Sequence, residues 1–231
     1  MLNFNSRSTQ KELLDGDSIP WQDVTQNMKE LNVINTYLGG HAITVKGVKQ
    51  LLPRSIHKVH IVEIGCGGGD NLNAIYTYLS KQNIDFFLTG IDFKKECIAF
   101  AKEKYPNIHF ICSDYQNVFF DEKPSLIFCS LFCHHFYDEH LHEAIQWMHQ
   151  NSQLGFFIND LQRHPLAYYS IKILTSLFSN SYLVKNDAPL SVARGFRKKE
   201  WESILAENHI PHFSILWKWA FRHLILVQHG T

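Results

Sequence analysis

Two adjacent histidines carry the most reactive chemistry in the chain. His134 and His135 stand in "SLFCHHF", just past the apolar run "SLIFCSLF", which reads as a buried strand. Histidine titrates near neutral pH, so either ring can act as a base. Equally, one of them can serve only to shape the loop. Asp160 closes the next apolar run, "LGFFIND". It either holds a substrate or a histidine, or caps the helix that opens near Pro165, and both readings stay open. Cys129, Cys133, His140 and His142 crowd the same segment and raise the question of a metal. Zinc sites prefer a closely spaced cysteine pair with a second pair elsewhere. Cys129 falls inside the apolar run, where it behaves as a small hydrophobe, and no metal is expected.

The second constellation is "VEIGCGGGDNL", residues 62–72. A strand feeding a glycine turn and then a helix aims backbone N–H groups at a ligand. The dinucleotide fingerprint G-x-G-x-x-G fails at its last position, because Asp70 or Leu72 stands where the third glycine belongs. A carboxylate there also repels a pyrophosphate. The stretch instead fits E-x-G-x-G-x-G, through Glu63, Gly65, Gly67 and Gly69. Asp92 ends the following strand, "LTGID", about 20 residues on, where a carboxylate can accept both hydroxyls of a ribose. Asp114 ends the third strand, "FICSDY".

With these residues in register, residues 57–161 resemble the class I S-adenosylmethionine-dependent methyltransferases. The resemblance implies a sulfonium cofactor without phosphate, beside which acidic residues make electrostatic sense, and S-adenosylhomocysteine as product. It implies cofactor contacts at Glu63, Gly65, Cys66, Gly67, Gly69, Asn71, Asp92, Phe93, Asp114, Tyr115 and Leu131. Asp92 takes the ribose, Asp114 the adenine amino group, and Phe93 packs on the ring. His41, in "YLGGH", is a further candidate, because N-terminal helices cap this site in the family. His134, His135 and Asp160 become the candidates for handling the acceptor. "ELNVINTYLGGH" and "FFINDLQRHPLAYYSIKILT" are similar to small bacterial methyltransferases that accompany type III polyketide synthases. That implies a phenolic or pyrone-like lipid acceptor, with oxygen slightly favoured over carbon. No Asn/Asp-Pro-Pro-Tyr-like clamp for an amino group follows the fourth strand, where "SLFC" stands. An NAD-dependent oxidoreductase and a non-catalytic binding member of the fold are the competing readings.

The elements that must position these residues alternate. Strands "KVHIVEIG", "DFFLTGID", "IHFICSD", "SLIFCSLF" and "LGFFIND" are separated by helical segments, the pattern of a doubly wound parallel sheet. "HFSILWKW" and "FRHLILVQ" read as a closing antiparallel pair, because little chain joins them. The expected fold is α/β, a Rossmann-like seven-stranded sheet, mostly parallel with an antiparallel terminal hairpin. One domain of 1–231 is expected: a helical cap over 18–52, a core over 57–161, a lid insertion over 162–196, and a final helix and hairpin over 197–231. Residues 1–16 read as a mobile or loosely docked start. Ser18 is a plausible N-cap for the first helix, with Pro20 in its first turn; a second helix runs over about 43–52. In the lid, Tyr168, Tyr169, Leu174 and Phe178 either face a lipophilic substrate or pack the lid onto the sheet. A loop is expected around Asn186–Pro189; Asn186, Asp187 and Arg194, in "NDAPLSVARGF", are polar residues of a long loop that could close over the pocket, with solvated surface as their default reading.

Composition sets the outer bounds. The 231 residues suffice for one sizeable domain. Lys+Arg and Asp+Glu balance at 22 each, so no nucleic-acid partner is expected. No stretch reaches the roughly 18 apolar residues of a membrane span. The polar start lacks the apolar segment of a secretory signal. Five cysteines without a CxxC pair suggest reduced thiols and a cytoplasmic setting. The expected partner is a small lipophilic molecule, and a homodimer remains open.

Overall fold

A computed structural model describes residues 4–16 and 19–230. Ser18, the proposed cap, lies outside the described residues. Seven strands form a single sheet: β1 (Lys58–Ile64), β2 (Asp85–Asp92), β3 (His109–Cys112), β4 (Leu126–Ser130), β5 (Gly155–Leu161), β6 (Phe213–Lys218) and β7 (Arg222–Gln228). Their order is β3-β2-β1-β4-β5-β7-β6. The first five are parallel, and β7 runs antiparallel to both β5 and β6. The expected sheet is therefore present, closing hairpin included.

The apolar runs become strands covered on both faces. All five residues of β4 are buried, and they alternate between two cores. Ile127 and Cys129 face helices α5 (Asp138–Asn151) and α8 (Lys198–Glu207). Leu126 and Phe128 face α2 (Gly40–Leu51), α3 (Asp70–Leu79) and α4 (Lys95–Lys104). The Phe128 and Phe157 rings stack at 4.7 Å across β4 and β5. Helix α1 spans Trp21–Tyr37, and Pro20 is its N-cap rather than a residue of its first turn. Gly39, at φ +76°, turns the chain straight into α2, which begins at Gly40, earlier than the spacing suggested. No described helix is long and apolar enough to cross a membrane.

Two expectations fail. Residues 4–16 are docked, not loose. Ser8 N–H donates to the Ala193 carbonyl at 3.0 Å, and Glu12 is only 6% exposed. Residues 182–194, read in part as a loop, form helix α7 (Tyr182–Arg194) with Pro189 inside it. An interior proline costs about 3 kcal/mol. Leu183, Val184 and Val192 are buried on the same helix, each worth roughly 1.5–3 kcal/mol, and their sum outweighs it. Ser181 caps the helix by accepting the Val184 N–H. Together with α6 (Pro165–Phe178), α7 forms a two-helix excursion that leaves and returns at one bridge, Gln162 to Phe196.

Candidate active site

The carboxyl ends of β1, β2, β3 and β4 open on a cavity of about 810 Å³, roofed by α1, α6, α7 and the strap of residues 12–15. Gly65 sits at φ +64°, and a Cβ there would fall 2.1 Å from the Phe132 ring. Only glycine combines that backbone with that approach. Gly69 ends the turn at φ +76°, and α3 starts at Asp70.

Asp92 braces the turn. Its Oδ2 accepts the Gly67 N–H and its Oδ1 the Lys94 N–H, both at 2.9 Å. Burial raises its pKa, partly countered by those two N–H groups. Each oxygen keeps a second lone pair for another donor. Glu63 is 1% exposed and accepts a hydrogen bond from Asn71 Nδ2 at 3.1 Å; its Oε2 has no partner among the described residues. Burial, then the charge of Asp70, pushes its carboxyl well above the usual range. Asp114 caps the short turn Tyr115–Asn117 through the Gln116 N–H and lies open on the cavity rim beside exposed Phe93. Tyr115 is buried and meets Phe132 edge-on. Leu131 lines the wall at φ +54°, an uncommon backbone for a side chain of its size. Cys66 is buried in the turn, and burial raises its thiol pKa.

The histidines occupy a short helical turn, Cys133–His135, whose carbonyls are gripped from outside. Arg194 donates to the carbonyls of His134 and His135, and Arg7 to those of His134 and Phe136. Asp160 is fully buried and does not reach the cavity. It lies 2.7 Å from His134 Nδ1 and accepts the His134 backbone N–H at 3.1 Å. It thus grips His134 at both ring and backbone, and it does not cap α6. That cap is His164, which accepts the Leu166 N–H. His134 Nε2 then faces Glu12 at 3.5 Å. Burial disfavours the imidazolium, but Asp160 and then Glu12 outweigh it and push the His134 pKa up to about 9. His135 is arranged in parallel: Nδ1 lies 3.0 Å from Asp15, and Nε2 3.7 Å from Glu12. The ligand atoms of Glu12, His134 and His135 lie within 4.8 Å of one another, a spacing wide enough for a small cation.

Most of the residues expected from the sequence line this cavity: Glu63, Gly65, Cys66, Gly67, Asn71, Asp92, Phe93, Asp114, Tyr115, Leu131, His134 and His135. Gly69 does not line the cavity; it is the N-cap of α3, packed close to the Phe110 ring. His41 stands behind the wall, its Nε2 2.6 Å from Asp70 Oδ2. Asp187 and Arg194 are buried, against expectation; Asp187 accepts the N–H groups of Leu13 and Leu14 and so fastens the strap. Sequence reasoning missed Glu12, Asp15, Asn35 and Arg222, all of which line the cavity. The available signal was slight: two carboxylates three residues apart around a Leu-Leu pair, and one arginine opening an apolar strand.

The topology is that of the Rossmann-like S-adenosylmethionine-dependent methyltransferase fold. Residues 61–155 match the family model of the methyltransferase domain. Protein 235L of Invertebrate iridescent virus 6, a methyltransferase by name, is 38% identical over 73 residues, 32% of this chain and 26% of the viral one. The plantazolicin methyltransferase BpumL, solved with S-adenosylhomocysteine, superposes with a TM-score of 0.68 at 17% identity, covering 91% of this chain and 95% of its own. Human N-acetylserotonin methyltransferase gives 0.62 at 16%, over 92% of this chain and 57% of its own. Magnesium protoporphyrin IX methyltransferase of Synechocystis PCC 6803 gives 0.54 at 12%, over 94% and 88%.

Proposed function

We propose that the chain transfers the methyl group of S-adenosylmethionine to a small lipophilic acceptor, at oxygen in preference to carbon. One observation carries the reading: a single cavity joins a glycine turn ringed by carboxylates to a carboxylate-braced histidine pair. Asp70, held ionised by His41, with Asp92 and Asp114 around the turn, suits a phosphate-free cation and disfavours a pyrophosphate. The spare lone pairs of Asp92 suit a ribose, and the orphaned oxygen of Glu63 calls for a donor. Phe93, Asp114, Tyr115 and Leu131 are assigned to the adenine side, and the turn with Cys66, Gly69 and Asn71 to the remainder.

When bound, the cofactor supplies an electrophilic methyl group. The protein's own task is to align the acceptor, exclude water and take the hydroxyl proton. His135 is assigned as the base: Asp15 fixes Nδ1, and Nε2, 3.7 Å from Glu12 and so beyond a direct hydrogen bond, takes the acceptor's proton. His134, held charged by Asp160 and Glu12, favours the developing oxyanion. Leu166, Ile171 and Leu174 of the lid line the cavity and support a lipophilic acceptor, such as a phenolic or pyrone-like lipid of type III polyketide origin.

Asp92→Ala is expected to abolish S-adenosylhomocysteine binding measured by calorimetry; unchanged affinity would sink the ribose assignment. His135→Ala is expected to lower turnover roughly 100- to 10,000-fold while cofactor binding persists. Should His134→Ala and His135→Ala both leave turnover intact, the base assignment goes. Thermal-shift comparison with NADH checks the class, since only the true ligand stabilises the fold.

A further inference from the structure

The cavity holds a charged group that the chemistry above does not use. Arg222 opens β7, is 2% exposed and lines the cavity floor. Its Nη2 donates to Asn35 Oδ1 at 2.9 Å, while Nε and Nη1 have no hydrogen-bond partner among the described residues. A buried guanidinium with two orphaned nitrogens is costly unless an anion completes it. The surroundings are shaped around it. A Cβ on Gly40 would lie 3.2 Å from the guanidinium carbon and 2.8 Å from Asn35 Oδ1. Burial depresses the Arg222 pKa to about 10, and Asp160 and Asp70 offset this only in part. Asn35 also donates, through Nδ2, to Asp70 Oδ2 at 3.2 Å. One amide thus joins a cation to an anion on the same cavity wall. Asp70 is held ionised: burial opposes its charge, but His41 prevails and keeps its pKa below the ordinary value.

We propose that Arg222, Asn35 and Asp70 form a receptor for the α-amino-acid end of the cofactor, Arg222 taking its carboxylate and Asp70 its ammonium group. The assignment rests on the methyltransferase reading. It favours the cofactor over an acidic acceptor for two reasons. Asp70 follows the glycine turn directly, and a paired cation and anion match a zwitterion better than a lone anion. Arg is suited to the task, since its planar fork can meet both oxygens of a carboxylate.

The test is a cycle of protein and ligand, read by calorimetry without turnover. The ligands are S-adenosylhomocysteine, its decarboxylated analogue, and methylthioadenosine, which lacks the whole amino-acid end. The wild-type protein is expected to bind S-adenosylhomocysteine roughly 10- to 100-fold more tightly than the decarboxylated analogue. Arg222→Gln should lose about that factor for S-adenosylhomocysteine and almost none for methylthioadenosine. Arg222→Lys, which keeps the charge without the fork, should fall between. The proposal is overturned if the wild-type protein does not distinguish the first two ligands. It is equally overturned if Arg222→Gln weakens all three alike, or if it weakens only an acidic acceptor. Failure of every nucleoside to bind the wild-type protein would overturn the methyltransferase reading, and this assignment with it.

Discussion

At the scale of single residues, the site works by balancing buried charges against one another. His134 shows the balance most directly. Its pKa is ordinarily 6.5 and lies at about 9 in the fold, because Asp160 and Glu12 outweigh burial. A raised histidine pKa contributes stability that is fully present below about 6.5 and is lost as pH climbs through 9. The expected contribution is of order 3 kcal/mol. Thermal melts of the wild-type protein should therefore fall between pH 6.5 and 9.5, and His134→Asn should flatten that slope. Equal slopes in the two proteins would show that the Asp160 pair does not hold the proton.

At the scale of elements, the lid is held by a buried charge at its root. Arg163 is 2% exposed, and its Nη1 and Nη2 donate to the two oxygens of Glu200, at 3.1 and 2.5 Å. It also donates to the carbonyls of Phe4 and Gly195. Glu200→Gln leaves that guanidinium without its counterion. Breaking a buried pair costs about 3–5 kcal/mol, and the lower end is expected because Glu200 is one-third exposed. Urea unfolding measures this; a loss below about 1 kcal/mol would mean that the carbonyls alone hold Arg163. The same elements show what can be read from sequence. The glycine turn, Asp92 and Asp114 were legible because strand, turn and helix are local patterns. Helix α7 was not. "NDAP" carries turn residues, but burial of Asp187 beneath the strap, where it accepts two N–H groups, overrides that local preference. The central strands were legible because their apolar runs, those of β4 and β5 above all, are buried on both faces; β6, with no buried residue, was legible as half of a short antiparallel pair.

At the scale of the whole molecule, the site is assembled from distant parts. The histidines come from the end of β4, but the carboxylates facing them, Glu12 and Asp15, come from the strap. No periodicity in a polar segment announces such a meeting, and it was therefore invisible in the sequence. In the full-length chain, Glu12→Gln with Asp15→Asn should lower turnover about 100-fold or more. S-Adenosylhomocysteine affinity should stay close to wild type, since neither residue is assigned to the cofactor. Undiminished turnover would remove the strap from the chemistry and leave it a structural cover.

The docked strap also has a consequence for the order in which the protein comes into being. A ribosome makes Glu12 and Asp15 long before the surface that fastens them, Asp187 and Arg194 on α7, for 174 residues separate Leu13 from Asp187. The glycine turn and the first four strands are complete long before that point. During synthesis the glycine turn can therefore assemble before the histidines meet Glu12 and Asp15, a meeting that waits on α7.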